Sequence, residues 1–219
     1  MSEEEQPVTE PVTEPVTGPV TAPRTLPRTS ERGAATRAAL LTAARDVFVS
    51  KGFAEAGVTD VVARAEASVG SLYHHFSGKA DLYLTLFEEF QARQSQRTKQ
   101  AARQARAAGE SDPMRVFVSA ARAYLDGCLE ERELAALFLR GDGPPGFEVV
   151  MRDRLRTWAQ RNAALFEEDE SALVVVLTGA LAAAVSEVTL SGDRGLAEDV
   201  LAIIGRIRPS ASAGDATSR

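Results

Sequence analysis

The stretch VTDVVARAEASVGSLYHHFSGK, Val58 to Lys79, constrains the fold of this chain more than any other. Val58, Val61, Val62 and Ala65 recur at helical spacing, which makes one side of a first short helix apolar. A three-residue break follows, and Ser68 supplies a side-chain oxygen where a second helix starts. Leu72, Phe76 and Ala65 close a small core, leaving Val69, Ser71, Tyr73 and His74 to face outward. A third helix opens near Lys79. Two short helices joined by a tight turn, the second carrying small and hydrogen-bonding side chains outward, have the build of a helix-turn-helix. Its second helix would enter the DNA major groove.

The flanking segments are helical as well. Leu40, Leu41, Ala44, Val47 and Phe48 give Thr36 to Lys51 one apolar face, and Gly52 stops that helix before Phe53. Downstream, a long helix from about Ser77 carries Leu82, Leu86, Phe87 and Phe90, and its later half, Gln91 to Ala108, reads as solvated. Asp112 and Pro113 start the next helix, and GDGPPG at 141–146 is a firm turn. Helices follow around Phe147 to Phe166, Ser171 to Leu190 and Gly195 to Ile207. No strand-like alternation of useful length occurs. The expected fold is all-α, about nine helices: a three-helix helix-turn-helix domain over 31–80, then a helical effector-binding and dimerisation domain over 81–208.

Residues 1–30 form a Pro/Thr-rich tail in tetrads (PVTE, PVTE, PVTG, PVTA, PRTL, PRTS), and 209–219 are a second polar tail. Regular prolines and few large apolar side chains leave both too little surface to bury, so both are expected to be disordered. Arg24, Arg28, Arg32 and Arg37 make the approach to the first helix basic, a run read as a solvated linker. The net charge of −6 is uneven: 31–80 is the only net-positive part, at +1. Whole-chain charge therefore neither supports nor excludes a nucleic-acid partner.

One cysteine, Cys128, excludes an internal disulfide, and its apolar setting reads as core. The N-terminus has no secretory pattern, and the apolar run Leu173 to Val185 is shorter than the ~20 residues a bilayer needs. A soluble cytoplasmic protein without membrane contact is the expectation. His74 and His75 are adjacent, so their side chains diverge on a helix, and no third ligand lies near. No metal or other cofactor is expected. Catalytic triads, phosphate loops and dinucleotide glycines are missing, so the chain does not read as an enzyme.

The segment TRAALLTAARDVFVSKGF, followed by VTDVVARAEAS and GSLYHHFSGK, resembles the N-terminal domain of TetR-family transcriptional regulators over about residues 36–87. Its most specific part, Gly70 to Lys79, follows the family pattern G-x-L-Y-x-H-F-x-x-K. The resemblance implies a homodimer that binds a palindromic double-stranded DNA operator through helix 3. It further implies a repressor released by a small-molecule effector in the C-terminal domain. It puts Thr59, Ser68, Val69, Gly70, Ser71, Tyr73, His74 and Lys79 at DNA-facing positions, with His75 between packing and phosphate. Glu66 departs from the glycine usual in the turn, and Gly57 from the usual helix-2 cap.

In the second domain, Phe87, Phe117, Tyr124, Phe138, Met151 and Trp158 are candidates for a mostly apolar effector pocket. Tyr124, Trp158 and Arg122 are its candidate polar handles. The helix over Ser171 to Leu190 is apolar nearly all round and needs cover on both sides. Leu177, Gly179 and Ala183, with Val200, Ile203 and Ile204 of the last helix, are the expected dimer face. The alternative left open is a helical interaction module whose helix-turn-helix no longer binds DNA.

Overall fold

The computed structural model describes residues 28–167 and 170–207. Residues 28–30, expected to be disordered, open the first helix, whereas residues 1–27 of the N-terminal tail and the whole C-terminal tail lie outside the described residues. Within them the chain is all-helical: α1 (Arg28–Glu55), α2 (Val58–Arg64), α3 (Val69–His75), α4 (Lys79–Ala107), α5 (Pro113–Glu130), α6 (Arg132–Leu139), α7 (Phe147–Ala163), α8 (Ser171–Ser191) and α9 (Arg194–Ile204). The first three pack on one another, with α1 also against α4 and α6. The long α4 runs on into the second domain and pairs along α5, and α8 packs against α5, α6, α7 and α9.

Local chemistry accounts for the breaks. At Gly52 the chain kinks, with φ 80° and ψ 170°, a conformation open to glycine at little cost. Gly52 thus ends the regular run of the helix as expected, and the residues to Glu55 form a short separate piece beyond the kink. The kink sends Phe53 back between Phe48 and Tyr83. Gly57 offers no side chain to cap α2, as expected. The Asp60 carboxylate instead accepts from the Gly57 amide at 3.0 Å and pairs with Lys51 at 2.9 Å. Lys51 first, and the Gly57 amide second, hold Asp60 below the ordinary carboxylate range. Its contribution is therefore present at neutral pH and lost on acidification. At α3 the Ser68 hydroxyl accepts from the Ser71 amide at 3.0 Å, the expected cap.

The turn between α2 and α3 is a Schellman motif. The Ala67 amide reaches back to the Val62 carbonyl at 3.0 Å and the Glu66 amide to Ala63 at 3.4 Å. This closure needs a left-handed residue at Glu66, and Glu66 has φ 51°, the only non-glycine with positive φ among the described residues.

Two expectations about the helical domain change. The solvated half of α4 starts later than the polarity pattern suggests, because Gln91 and Gln94 are buried. A glutamine amide on a long stem fits where Gly127 of α5 leaves room. The apolar run in the eighth helix is also longer than read: α8 spans 21 residues and is long and apolar enough to cross a membrane. It serves here as a core helix, with Val174, Leu177, Leu181, Ala184, Val185 and Val188 buried.

Replacing Glu66 by glycine keeps the Schellman hydrogen bonds and removes a left-handed side chain, worth ~1 kcal/mol after glycine's own entropy. Glu66→Gly should raise the melting temperature by about 2–4 °C. A lower melting temperature would contradict the turn geometry.

Candidate nucleic-acid interface and effector cavity

The outer face of α3 is set by what its inner face must bury. Leu72 is fully buried and Phe76 is 3% exposed, packed with Val61 and Val62 of α2 and with α1. On a helix this turns positions 70 and 74 to the opposite side, with 69 and 73 on the flank between. Val69 is 43% and Tyr73 57% exposed, an uncovered apolar and aromatic pair one turn apart. His74 is exposed beside them, and His75 is half-buried, its ring edge-on to His74 at 4.9 Å. Thr59 is exposed near the start of α2.

Two small residues sharpen this face. A Cβ added to the exposed Gly70 would meet only Ser68 Oγ, at 3.9 Å, so nothing inside the subunit requires glycine there. Glycine in a helix costs ~0.5–1 kcal/mol relative to alanine, and close approach of an outside partner is a physical reason to keep it. Ser68 spends its lone pair on the Ser71 amide but keeps its O–H to donate.

Lys79 differs from the other seven candidates. Its ammonium donates to the carbonyls of Phe53 at 2.7 Å and Ala54 at 3.1 Å and sits 4.4 Å from the Phe53 ring centroid. It satisfies carbonyls at the end of α1, where a cation is favoured. The structure therefore turns Lys79 inward, away from the position the family pattern implies. Of the other seven candidates, Ser68 caps α3, Val69, Gly70, Ser71, Tyr73 and His74 lie on it, and Thr59 lies near the start of α2.

Two adjoining cavities in the helical domain are lined by the expected effector residues. The inner one, of about 200 Å³, is lined by Phe87, Tyr124, Phe138, Met151 and Trp158, five of the six expected effector residues, with Cys128. Burial pushes the Cys128 thiol up to about 12, so it lines the cavity as an unreactive apolar group. The sixth, Phe117, lines an adjoining outer cavity of about 340 Å³. Tyr124 and Trp158, edge-to-face at 4.4 Å, belong to both walls.

Arg122 lines neither cavity and pairs with Glu198 on the surface. The arginine against the inner cavity is Arg154, whose guanidinium donates to Gln91 Oε1 at 3.0 Å and to the Gln91 carbonyl at 3.3 Å. The sequence carried this signal: Arg154 lies one helical turn before Trp158, whereas Arg122, two residues from Tyr124, must point elsewhere. Among the described residues no group of three or more His, Cys, Asp or Glu is arranged to hold a metal ion.

Of the expected dimer face, Gly179, Ala183 and Ile203 are exposed and Val200 is half-buried. Leu177 and Ile204 are 0% and 2% exposed and belong to the subunit's own core. A helix apolar on every side gives no pattern by which to sort its faces. Val175, Val176 and Leu190, at 68%, 55% and 50% exposed, are uncovered apolar side chains of the same helix that the sequence reading did not name.

Residues 40–86 match the family model for bacterial regulatory proteins of the tetR family. The N-terminal domain is a TetR-family domain. A stretch of 52 residues is 44% identical to the HTH-type transcriptional activator FasR of Mycolicibacterium smegmatis, covering 24% of each chain. A longer one of 144 residues is 28% identical to the transcriptional regulator AcuR of Cereibacter sphaeroides, covering 60% of this chain and 61% of AcuR. The chain thus spans about a quarter and about three fifths of these two relatives.

The whole TetR-like fold recurs in solved structures. A TetR-like regulator from Rhodococcus sp. RHA1 superposes with TM-score 0.63 at 22% identity, covering 83% of this chain and 96% of that one. NalD, the secondary repressor of the MexAB-OprM multidrug efflux pump in Pseudomonas aeruginosa, gives 0.66 at 18%, covering 80% and 96%. At these identities the likeness is one of fold.

If Lys79 is a clamp on α1, Lys79→Gln should cost about 1–2 kcal/mol of stability, measured by denaturant titration. The salt dependence of DNA binding should stay unchanged. Unaltered stability with a salt slope lower by ~0.9 would instead make Lys79 a phosphate contact.

Proposed function

We propose that this chain is a ligand-responsive transcriptional regulator. It binds a palindromic operator as a homodimer through α3 and acts as a repressor that a small, mostly apolar effector releases. The observation that carries the DNA-binding part is the uncovered face of α3. Val69, Gly70 and Tyr73 have no role in the subunit's own packing and sit on the helix that a helix-turn-helix lays in the major groove. Tyr73 and the hydroxyls of Thr59, Ser68 and Ser71 bond phosphates, while Val69 and His74 meet base edges.

Effector response needs a path from cavity to DNA. Phe138, in the inner cavity wall, packs edge-on to Tyr83 at 5.4 Å, and Tyr83 packs on Phe53 at 5.2 Å. The Phe53 amide donates to Asp142, in the loop between α6 and α7, at 3.0 Å. An effector that moves Phe138 or Met151 thereby strains the base of the DNA-binding domain.

For the dimer, Val175, Val176, Gly179, Ala183 and Leu190 leave an uncovered apolar strip along α8, continued by Ile203 of α9. A Cβ on Gly179 would meet nothing within 4 Å. A mid-helix glycine with no neighbour of its own suits close approach of the same helix from a second copy.

Two experiments test this reading. Duplexes selected from random sequence by the wild-type chain should contain two inverted half-sites, and Tyr73→Ala should bind them about tenfold or more weakly with unchanged circular dichroism. Selection of no sequence would leave an interaction module in place of a DNA binder. Ala183→Glu, at an exposed position, should fold normally and run as a monomer in light scattering. A retained dimer would move the interface off α8.

A further inference from the structure

The charges around the two cavities are not balanced. Lys99, Arg103 and Arg106 of α4 and Arg161 of α7 line the outer cavity, and Arg154 lies against the inner one. No aspartate or glutamate lines either cavity. Among the described residues none of these five cations makes a salt bridge, although acids outnumber bases 31 to 25 in the chain. Their neighbours on α4 do pair: Arg93 grips Glu131 at 2.6 Å and Arg97 pairs with Glu130.

Three of these cations, Arg103, Arg154 and Arg161, also make hydrogen bonds. Arg161 donates to Ser95 Oγ at 3.3 Å, joining α7 to α4, and Arg103 Nε donates to the Lys99 carbonyl at 3.2 Å. Burial first, and the charge of Arg161 second, push the Arg154 guanidinium below its ordinary value. The charge of Arg154 is thus held at a cost that a nearby anion would relieve. DNA is not the partner for this patch. Along α4 from Lys79 to Arg103 is ~36 Å at 1.5 Å per residue, far from the face of α3.

Beneath the cationic rim the wall turns apolar, through Phe117, Leu165 and Leu181, to the shared Tyr124–Trp158 pair and the inner cavity. The inner cavity's 200 Å³ falls below the ~300–1,000 Å³ usual for ligand sites, so the outer one supplies the remaining room.

Building on the effector-cavity reading above, we infer that the ligand is an anionic amphiphile. Its apolar chain occupies the inner cavity past Tyr124 and Trp158, and its carboxylate or phosphate head is held in the outer one by Arg103 and Arg161, with Lys99 and Arg106 at the rim.

The test is calorimetric titration of the full-length chain with decanoate, decyl phosphate and decanol, with acetate and inorganic phosphate as head-only controls. One or both decyl anions should bind about tenfold or more tightly than decanol. Their affinity should fall between ~50 and ~500 mM salt while that of decanol holds. The preferred anion tells a phosphate from a carboxylate head. In Arg103→Gln/Arg161→Gln the advantage over decanol should vanish with decanol binding intact, which also shows that the variant is folded. Decanol binding as well as the anions would overturn the inference and leave an apolar effector. Anion preference lost only in Arg154→Gln would also overturn it, by placing the head in the inner cavity. Tight binding by head-only controls reduces the site to an ion trap. If no decyl compound binds while selected DNA still does, the effector cavity itself is refuted.

Discussion

Tyr83 holds the two domains together. Its ring is fully buried near the start of α4, edge-on to Phe48 at 5.6 Å, Phe53 at 5.2 Å, Phe138 at 5.4 Å and Phe147 at 5.1 Å. Two of these rings come from α1 and two from the second domain. Edge-to-face pairs add ~0.5–1.5 kcal/mol each beyond the area they bury, so one side chain anchors both cores. Its hydroxyl donates to the Leu137 carbonyl at 3.4 Å, and burial, with the Asp142 charge second, pushes the phenol up, keeping it neutral. The buried apolar residues accordingly form one continuous cluster from α1 to α9.

The polar contacts around that ring cluster have the same consequence. Phe53 is gripped three ways: its ring by Tyr83 and Phe48, its amide by Asp142, and its carbonyl by Lys79. Asp142 reaches it because Gly52 has no side chain to collide with the carboxylate. Residues from α1, α4 and the α6–α7 loop thus converge on one peptide unit at the kink. A well-packed junction of this kind transmits displacement rather than absorbing it.

Much of this was legible in the sequence, and the reason lies in periodicity. The helix-turn-helix carries its inward and outward positions in a spacing that only one helical phase satisfies, so Leu72, Phe76, Val69 and Tyr73 fell where expected. Glu66 was legible as the turn's odd residue through the family resemblance, which has glycine there, and its φ of 51° fits that reading. The aromatic residues of the inner cavity could be gathered by size, since large side chains on separate helices must meet somewhere. Faces of α8 could not be sorted, because an all-apolar helix has no phase, and Leu177 and Val175 look alike until packing separates them. The inward contacts of Lys79 were illegible for a different reason. A lysine stem is long enough to turn either way, and the carbonyls that hold it arise only once Gly52 bends α1.

The surfaces that matter outside the subunit are best recognised by residues the subunit itself does not explain. Gly52, Gly127 and Gly143 each have a neighbour that would collide with a side chain, so internal packing accounts for them. Gly70 and Gly179 have none, and each sits in the middle of an uncovered apolar patch on a helix that glycine weakens. The same contrast runs through the charges: Arg93, Arg97 and Arg122 have acids to hold, whereas Arg103 and Arg161 have none and border an apolar hollow. Three unexplained sets fall in three separate places, on α3, along α8, and where α4 faces α7. The two glycines cost stability in the isolated subunit and the cations have no acid of their own, so the three sets point to three different partners.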